Sequence, residues 1–318
     1  MEKLLEVKNL NVRFENKGIK TYAVNGVSFD VFEDESLGIV GESGSGKSVS
    51  AKSILRLLDK SSKTSGEILF KGEDIFSMAE KNLRDIRGNE ISMIFQDPMT
   101  SLNPLFKIGT QMKRLIKKHR KDLSDKEIYD KAIKYLDLVG IPDAENRMNS
   151  YPHEFSGGMR QRVMIAMSLC LNPKLIIADE PTTALDVTIQ AQVLNLLNEI
   201  RHDNQNSIMM ITHDLGVVAN TCDRMLVMYG GRIMEMGKVD EVFEDPKHPY
   251  TRGLLKSLPM IGNNQRLVPI KGNPPVIHEK LEACPFFDRC PDRKKECDKI
   301  NPKEKLFDNG HKVYCHLY

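Results

Sequence analysis

The stretch Gly41-Glu42-Ser43-Gly44-Ser45-Gly46-Lys47-Ser48 constrains this chain more than any other, because it lies between the apolar run "SLGIV" and the amphipathic run "VSAKSILRLL". A strand, a glycine-rich turn and a helix in that order meet the full G-x-x-x-x-G-K-[ST] pattern. Gly41, Gly44 and Gly46 let backbone N–H groups turn inward around phosphate oxygens, with Ser43 and Ser45 between them, and the N-terminus of the following helix favours negative charge. Lys47 is expected to reach the β- and γ-phosphates of a nucleotide, and the Ser48 hydroxyl to hold Mg2+.

A loop of this kind calls for carboxylates on a buried strand, and "LIIADEP" supplies them: four apolar residues, then Asp179 and Glu180 at the strand end. Adjacent carboxylates there are costly unless a cation neutralises them. Asp179 suits a role beside Mg2+. Glu180, on the other side of the pleat, suits a general base for water.

Short β-rich runs, "VSFDV", "SLGIV", "EILFKG" and "ISMIF", come first, and "KLIIADE", "SIMMIT" and "RMLVMY" follow later, mostly separated by patterns of helical length. The pattern predicts an α/β fold with a mixed sheet. Between Pro98 and Leu171 helical patterns dominate, notably "IGTQMKRLIKKHR" and "SDKEIYDKAIKYLDLVG", the second opened by a Ser124/Glu127 capping box. A helical insert over about 98–171 is expected to interrupt the sheet. After "HPYTRGLLKSLP" the text turns rich in proline, charge and cysteine, which predicts a boundary near Ser257 between a 1–257 cassette and a 258–318 tail domain.

The 46 Lys and Arg against 44 Asp and Glu leave a net charge of +2, so no global field argues for nucleic acid or an anionic membrane surface. No apolar run reaches the roughly 18 to 20 residues of a membrane helix, and "MEKLLEVKNLNVRF" alternates like a strand, so a cytosolic chain is expected. Most of the 16 methionines fall where core is expected. Cys170 and Cys222 sit in apolar segments and read as small core residues, whereas Cys284, Cys290, Cys297 and Cys315 crowd into the tail.

Taken together, these residues resemble the ATP-binding subunits of ABC transporters. The resemblance spans most of the first 250 residues or so and keeps the family's motif order. Gln96 in "MIFQDP" resembles the Q-loop, "FSGGM" the signature, "LIIADE" the Walker B strand, Ala184 to Asp186 the D-loop, and His213 in "ITHDL" the switch histidine. The resemblance implies that Gln96 senses metal and water, that Asp186 acts across a dimer, and that His213 meets the γ-phosphate. It also implies head-to-tail pairing, in which Ser156, Gly157 and Gly158 close over the nucleotide held by a second cassette. The signature departs from the usual "LSGGQ" at Phe155 and Met159, leaving the serine and glycines intact, and the methionine resembles the peptide-importer branch. The family's adenine-stacking aromatic corresponds to Phe14, with Tyr22 as the alternative.

"VDEVFEDPKHPYTRGLLKSLP" and the tail after it resemble importer subunits for di- and oligopeptides, with nickel importers of the same branch as the competing assignment. The tail spacing C-x5-C-x6-C-x17-C lacks the C-x2-C pairs of structural zinc sites, and disulfides do not suit a reducing cytosol. Four thiolates can hold a [4Fe–4S] cluster, and the tail resembles a family form that does so. Zinc is the alternative, and His316 an alternative ligand. The expected role is therefore an ATPase at the cytoplasmic face of the membrane that drives a peptide importer. Its implied partners are a second ATPase subunit, a different chain in preference to an identical copy, two permease subunits and, indirectly, a solute-binding protein. A cytosolic ABC ATPase acting on DNA or ribosomes fits less well, given a single cassette and no basic arm. A small-molecule kinase would leave the signature and His213 without a task.

Overall fold

The computed structural model describes residues 2–97, 101–182, 186–257 and 269–318. The chain divides into two compact units, one comprising Met1–Met78 with Met210–Tyr318 and the other Ala79–Met209.

The first unit opens with β1 (Lys3–Asn16), β2 (Ile19–Phe32), β3 (Ser36–Val40), β4 (Ser62–Phe70) and β5 (Glu73–Asp74). Four of these form an antiparallel sheet in the order β2-β1-β4-β5. The β1–β2 hairpin turns on Lys17 and Gly18, both at positive φ, as a tight two-residue connection requires. Along β1, Leu4, Leu5, Val7, Leu10 and Val12 are buried, and the alternation set by Leu5 and Val7 slips by one residue at an irregularity around Asn9, at φ 48, before Leu10 and Val12 resume it. β3 is different: all five of its residues are buried, the continuous apolar reading of a strand covered on both faces.

The second unit carries β6 (Ile91–Ile94) and β7 (Leu175–Asp179), paired in parallel and buried throughout. Between them lie the helices that the sequence predicts. Helix Ile108–His119 buries Ile108, Met112 and Ile116, and helix Asp125–Leu138 buries Ile128, Ala132 and Leu136, each at a spacing of four. The Ser124/Glu127 capping box forms, with the Ser124 N–H donating to the Glu127 carboxylate at 2.8 Å. Helix Gly157–Leu169 is covered more fully, with Val163 through Ala166 all buried. Pro98, at the expected start of the helical region, lies outside the described residues.

The division between the units falls within β8 (Ser207–Ile211). The first unit then resumes with β9 (Arg224–Tyr229), β10 (Arg232–Lys238), β11 (Glu304–Leu306) and β12 (Lys312–Tyr314). β9 runs parallel to β3 and antiparallel to β10, and β12 pairs antiparallel with both β10 and β11. The sheet is thus mixed, as expected. The boundary read near Ser257 abuts residues 258–268, which are outside the described set. Beyond them the tail shares one hydrophobic core with the strands: Phe286 and Cys284 pack with Tyr229, Tyr250 and Val40. Among the described residues no helix is long and apolar enough to cross a membrane.

Candidate functional site: a phosphate cradle and a carboxylate strand end

β3 delivers the chain into residues 41–46, and helix Lys47–Ile54 begins where they end. Gly46, the N-cap, adopts φ 100, and a Cβ there would stand 2.5 Å from the Ala23 carbonyl oxygen. At Gly41 an added Cβ would overlap the Met228 carbonyl. Both positions need glycine for space as well as for conformation. The N-cap is a glycine and supplies no side-chain cap, so the first turn of the helix presents its backbone toward the loop. This is a cradle a phosphate fits, in shape and in the sign of the helix dipole.

Lys47 is 6% exposed, and its ammonium donates to the carbonyls of Gly41 at 2.7 Å and Glu42 at 3.0 Å. The loop is pinned from outside as well. Gly231 donates its N–H to the Ser45 carbonyl at 3.0 Å, and the Glu42 N–H donates to the Tyr250 hydroxyl at 2.9 Å. Ser48 is half-buried in the first turn of the helix. His213 is exposed at the end of β8, next to Thr212, whose N–H donates to the Ile39 carbonyl in β3 at 3.2 Å. The first unit therefore brings His213 to the strand that feeds the loop. Asp214 caps the following helix through the N–H groups of Gly216 and Val217, which fixes the backbone just after His213.

Phe14, half-buried near the end of β1, lies opposite Thr21 and Ser62. Tyr22 lines a cavity of about 310 Å³ with Arg13, Asn25, Lys63 and Lys280, and Phe14 is not among the residues that line it.

In the second unit, Asp179 ends β7 with 1% exposure and Glu180 follows at φ 49. A non-glycine residue held there pays on the order of 1 kcal/mol in backbone strain, so the surrounding structure fixes its direction. The Gln96 side-chain amide donates to the Glu180 carboxylate at 2.9 Å, which joins two residues 84 positions apart. Ser156 is the exposed N-cap of helix Gly157–Leu169, accepting from the Met159 N–H at 3.3 Å, and a Cβ on Gly157 would meet nothing within 4 Å. Gly158, partly exposed, follows in the same turn. From this helix the buried Gln161 donates to the Pro181 carbonyl at 2.8 Å, a link from the signature to the carboxylate strand end that the sequence reading missed. Asp186 caps helix Val187–Asn204 through the Ile189 N–H at 3.0 Å, while Ala184 and Leu185 lie outside the described residues.

The tail does not bear out the expected metal centre. Among the described residues, which include Cys284, Cys290, Cys297 and Cys315, no group of three or more His, Cys, Asp or Glu could hold a metal ion. The [4Fe–4S] reading and its zinc alternative are both corrected on that ground. Burial pushes Cys284 up to about 12 and Cys290 up to about 11, and raises Cys315, which favours the neutral thiol at these three positions. Cys284 and Cys297 are buried in the core shared with Tyr229 and Phe286, and the Cys284 N–H donates to the Cys297 carbonyl at 2.9 Å. The His316 ring is engaged with the Ile300 carbonyl at 2.9 Å.

Comparison with known proteins places this geometry among relatives. A family model for ABC transporters matches residues 24–183, and one for the C-terminal region of oligopeptide/dipeptide transporters matches residues 234–297. The dipeptide transport ATP-binding protein DppD of Bacillus subtilis (strain 168) is 49% identical over 320 residues, covering 100% of this chain and 95% of that protein. The oligopeptide transport ATP-binding protein OppD of Salmonella typhimurium is 49% identical over 302 residues, covering 95% and 90%. Among solved structures, a dimeric post-hydrolysis state of the ATP-binding cassette MJ0796, bound to ADP and Pi, superimposes with a TM-score of 0.67 at 28% identity, covering 74% of this chain and 98% of that one.

Proposed function

From the premise that this chain belongs to the ABC transporter family of ATP-binding proteins, we propose that it hydrolyses ATP to drive import of di- and oligopeptides through membrane-embedded permease subunits. The observation that carries the peptide assignment is full-length similarity to dipeptide and oligopeptide transport ATP-binding proteins, extended by the separate match over residues 234–297. The cradle of residues 41–48 and the Gln96–Glu180 pair support the ATPase assignment.

ATP supplies the phosphoanhydride bond and Mg2+ neutralises charge on its phosphates when both are bound. The residues of this chain do the rest. Lys47 holds the β- and γ-phosphates, while Ser48, Asp179 and Gln96 would hold the metal ion. Glu180, oriented by Gln96 and by its own left-handed backbone, takes the proton of the attacking water. His213 contacts the γ-phosphate, and Phe14 stacks on the base. Ser156, Gly157 and Gly158 are exposed or partly so, and they serve the nucleotide of a second cassette rather than this chain's own. Asp186 acts across the same junction. The second cassette is a related but different chain, the pair sits on permeases at the cytoplasmic face of the membrane, and an extracytoplasmic binding protein delivers the solute.

Replacing Glu180 by Gln tests the core of this reading. The variant should bind ATP normally and accumulate a nucleotide-dependent dimer on size-exclusion chromatography, with turnover reduced by about 10² to 10⁴. Turnover at the wild-type rate would remove Glu180 from the base role. In cells, uptake of a labelled dipeptide should require this chain, and uptake of nickel should not.

A further inference from the structure

The tail reaches the phosphate loop through Arg289. Arg289 lies 247 residues from Glu42 in sequence, yet its guanidinium grips the Glu42 carboxylate with both terminal nitrogens, at 2.7 and 3.1 Å. Its other N–H groups are also engaged: Nε donates to the Lys271 carbonyl at 2.9 Å, Nη1 to the Tyr229 hydroxyl at 3.1 Å, and Nη2 to the Ile270 carbonyl at 3.2 Å. All five donors of the planar fork are thereby used. The side chain is 8% exposed, so it is held in one geometry rather than sweeping solvent.

Glu42 is the second residue of the loop, and each of its polar groups has a partner. Its carboxylate takes Arg289, its N–H donates to the hydroxyl of Tyr250, and its carbonyl accepts the Lys47 ammonium at 3.0 Å. A displaced Glu42 therefore displaces one of the carbonyls that position Lys47. The opposing Tyr250 hydroxyl belongs to the "HPYT" helix, Pro249–Lys256, and its ring packs against Tyr229 and Phe286. An exposed ion pair alone would contribute little. A bidentate, shielded pair on a residue that also touches Lys47 has leverage on nucleotide binding.

We propose that Arg289 is a positioning residue of the nucleotide site: the tail sets the shape of the phosphate loop, and hence its affinity for ATP, through the Arg289–Glu42–Lys47 chain of contacts. This rests on the reading of residues 41–48 as an ATP site. It makes the tail a determinant of how the cassette binds nucleotide.

The experiment measures MgATP affinity by equilibrium dialysis, together with KM, kcat and melting temperature, on the full chain. Arg289→Ala should weaken MgATP binding about tenfold, an ordinary magnitude for coupling between two sites, with KM raised by a similar factor and kcat at saturation little changed. Arg289→Lys should fall between it and the wild type. Glu42→Gln, which cuts the pair from the loop side, should give a similar loss and serves if Arg289→Ala does not fold. In the Glu42→Gln background, Arg289→Ala should add little further loss. Wild-type affinity in folded Arg289→Ala, or full losses that simply add in the double variant, would overturn the proposal. Lys47→Ala separates this from failure of the underlying reading: if it too binds MgATP like the wild type, the loop is not the ATP site, whereas if it alone loses binding, only the role of Arg289 fails.

Discussion

Gly46 and Gly44 stand two residues apart in one loop and ask different things of the chain. Gly44 needs only a positive φ, 78, with nothing within 4 Å of an added Cβ, whereas Gly46 needs φ 100 and also the space against the Ala23 carbonyl. Gly44→Ala should therefore cost about 1 to 2 kcal/mol of backbone strain and weaken nucleotide binding less than Gly46→Ala does. Gly46→Ala adds a steric clash at the first turn of the helix and should abolish measurable MgATP binding as well as lowering the melting temperature. Equal affinities for the two variants would show that close approach to Ala23 does not shape the cradle. The motif itself was legible because its spacing is local and each glycine answers to local geometry. Glu180 was legible as a carboxylate at a strand end. Its left-handed backbone was not, since no rule of composition places a glutamate at φ 49.

His248 shows how an element acquires a pH dependence. It caps helix Pro249–Lys256, its Nδ1 accepting the Tyr250 N–H at 3.0 Å, so the ring is held neutral. Burial drives it down to about 4 from the ordinary 6.5, with Glu235 opposing that shift and Arg252 adding to it. Between those values the unfolded chain binds the proton more readily than the folded one. Stability from this group is complete above pH 6.5 and is lost as pH falls toward 4, by about 3 kcal/mol. Urea midpoints should fall more steeply from pH 7 to pH 4.5 in the wild type than in His248→Asn, which keeps a capping acceptor without titrating in that window. A parallel slope would assign the acid sensitivity elsewhere. Helix Asp125–Leu138 offers a simpler case, because Ser124→Ala removes one half of an exposed capping box and should cost about 1 kcal/mol in thermal unfolding, with ATP turnover unchanged. That box was readable as two residues three apart. "HPYT" was readable only as a marker, because the Tyr250 hydroxyl meets a residue 208 positions away.

At the scale of the whole molecule, the tail is part of the first unit's core. Phe286 is 1% exposed and sits 5.2 Å, ring to ring, from both Tyr229 and Tyr250. Phe286→Ala should destabilise the full chain by about 3 to 5 kcal/mol, as read by denaturant unfolding. An effect under about 1 kcal/mol would mean the tail is only loosely attached. The four tail cysteines mark where sequence logic failed. Their number and spacing suggested ligands, but a thiol's role depends on whether it is charged and where it points, and both follow from packing. The sequence alone carried the glycine-rich motif of residues 41–48, the adjacent carboxylates Asp179 and Glu180, the helical patterns between β6 and β7 and the order of motifs, because each rests on short-range periodicity or spacing. Only the tertiary structure decided that Gln96 orients Glu180, that Gln161 reaches Pro181, and that Arg289 closes on Glu42. Those contacts join residues brought together by burial within each unit, and burial records no distance along the chain.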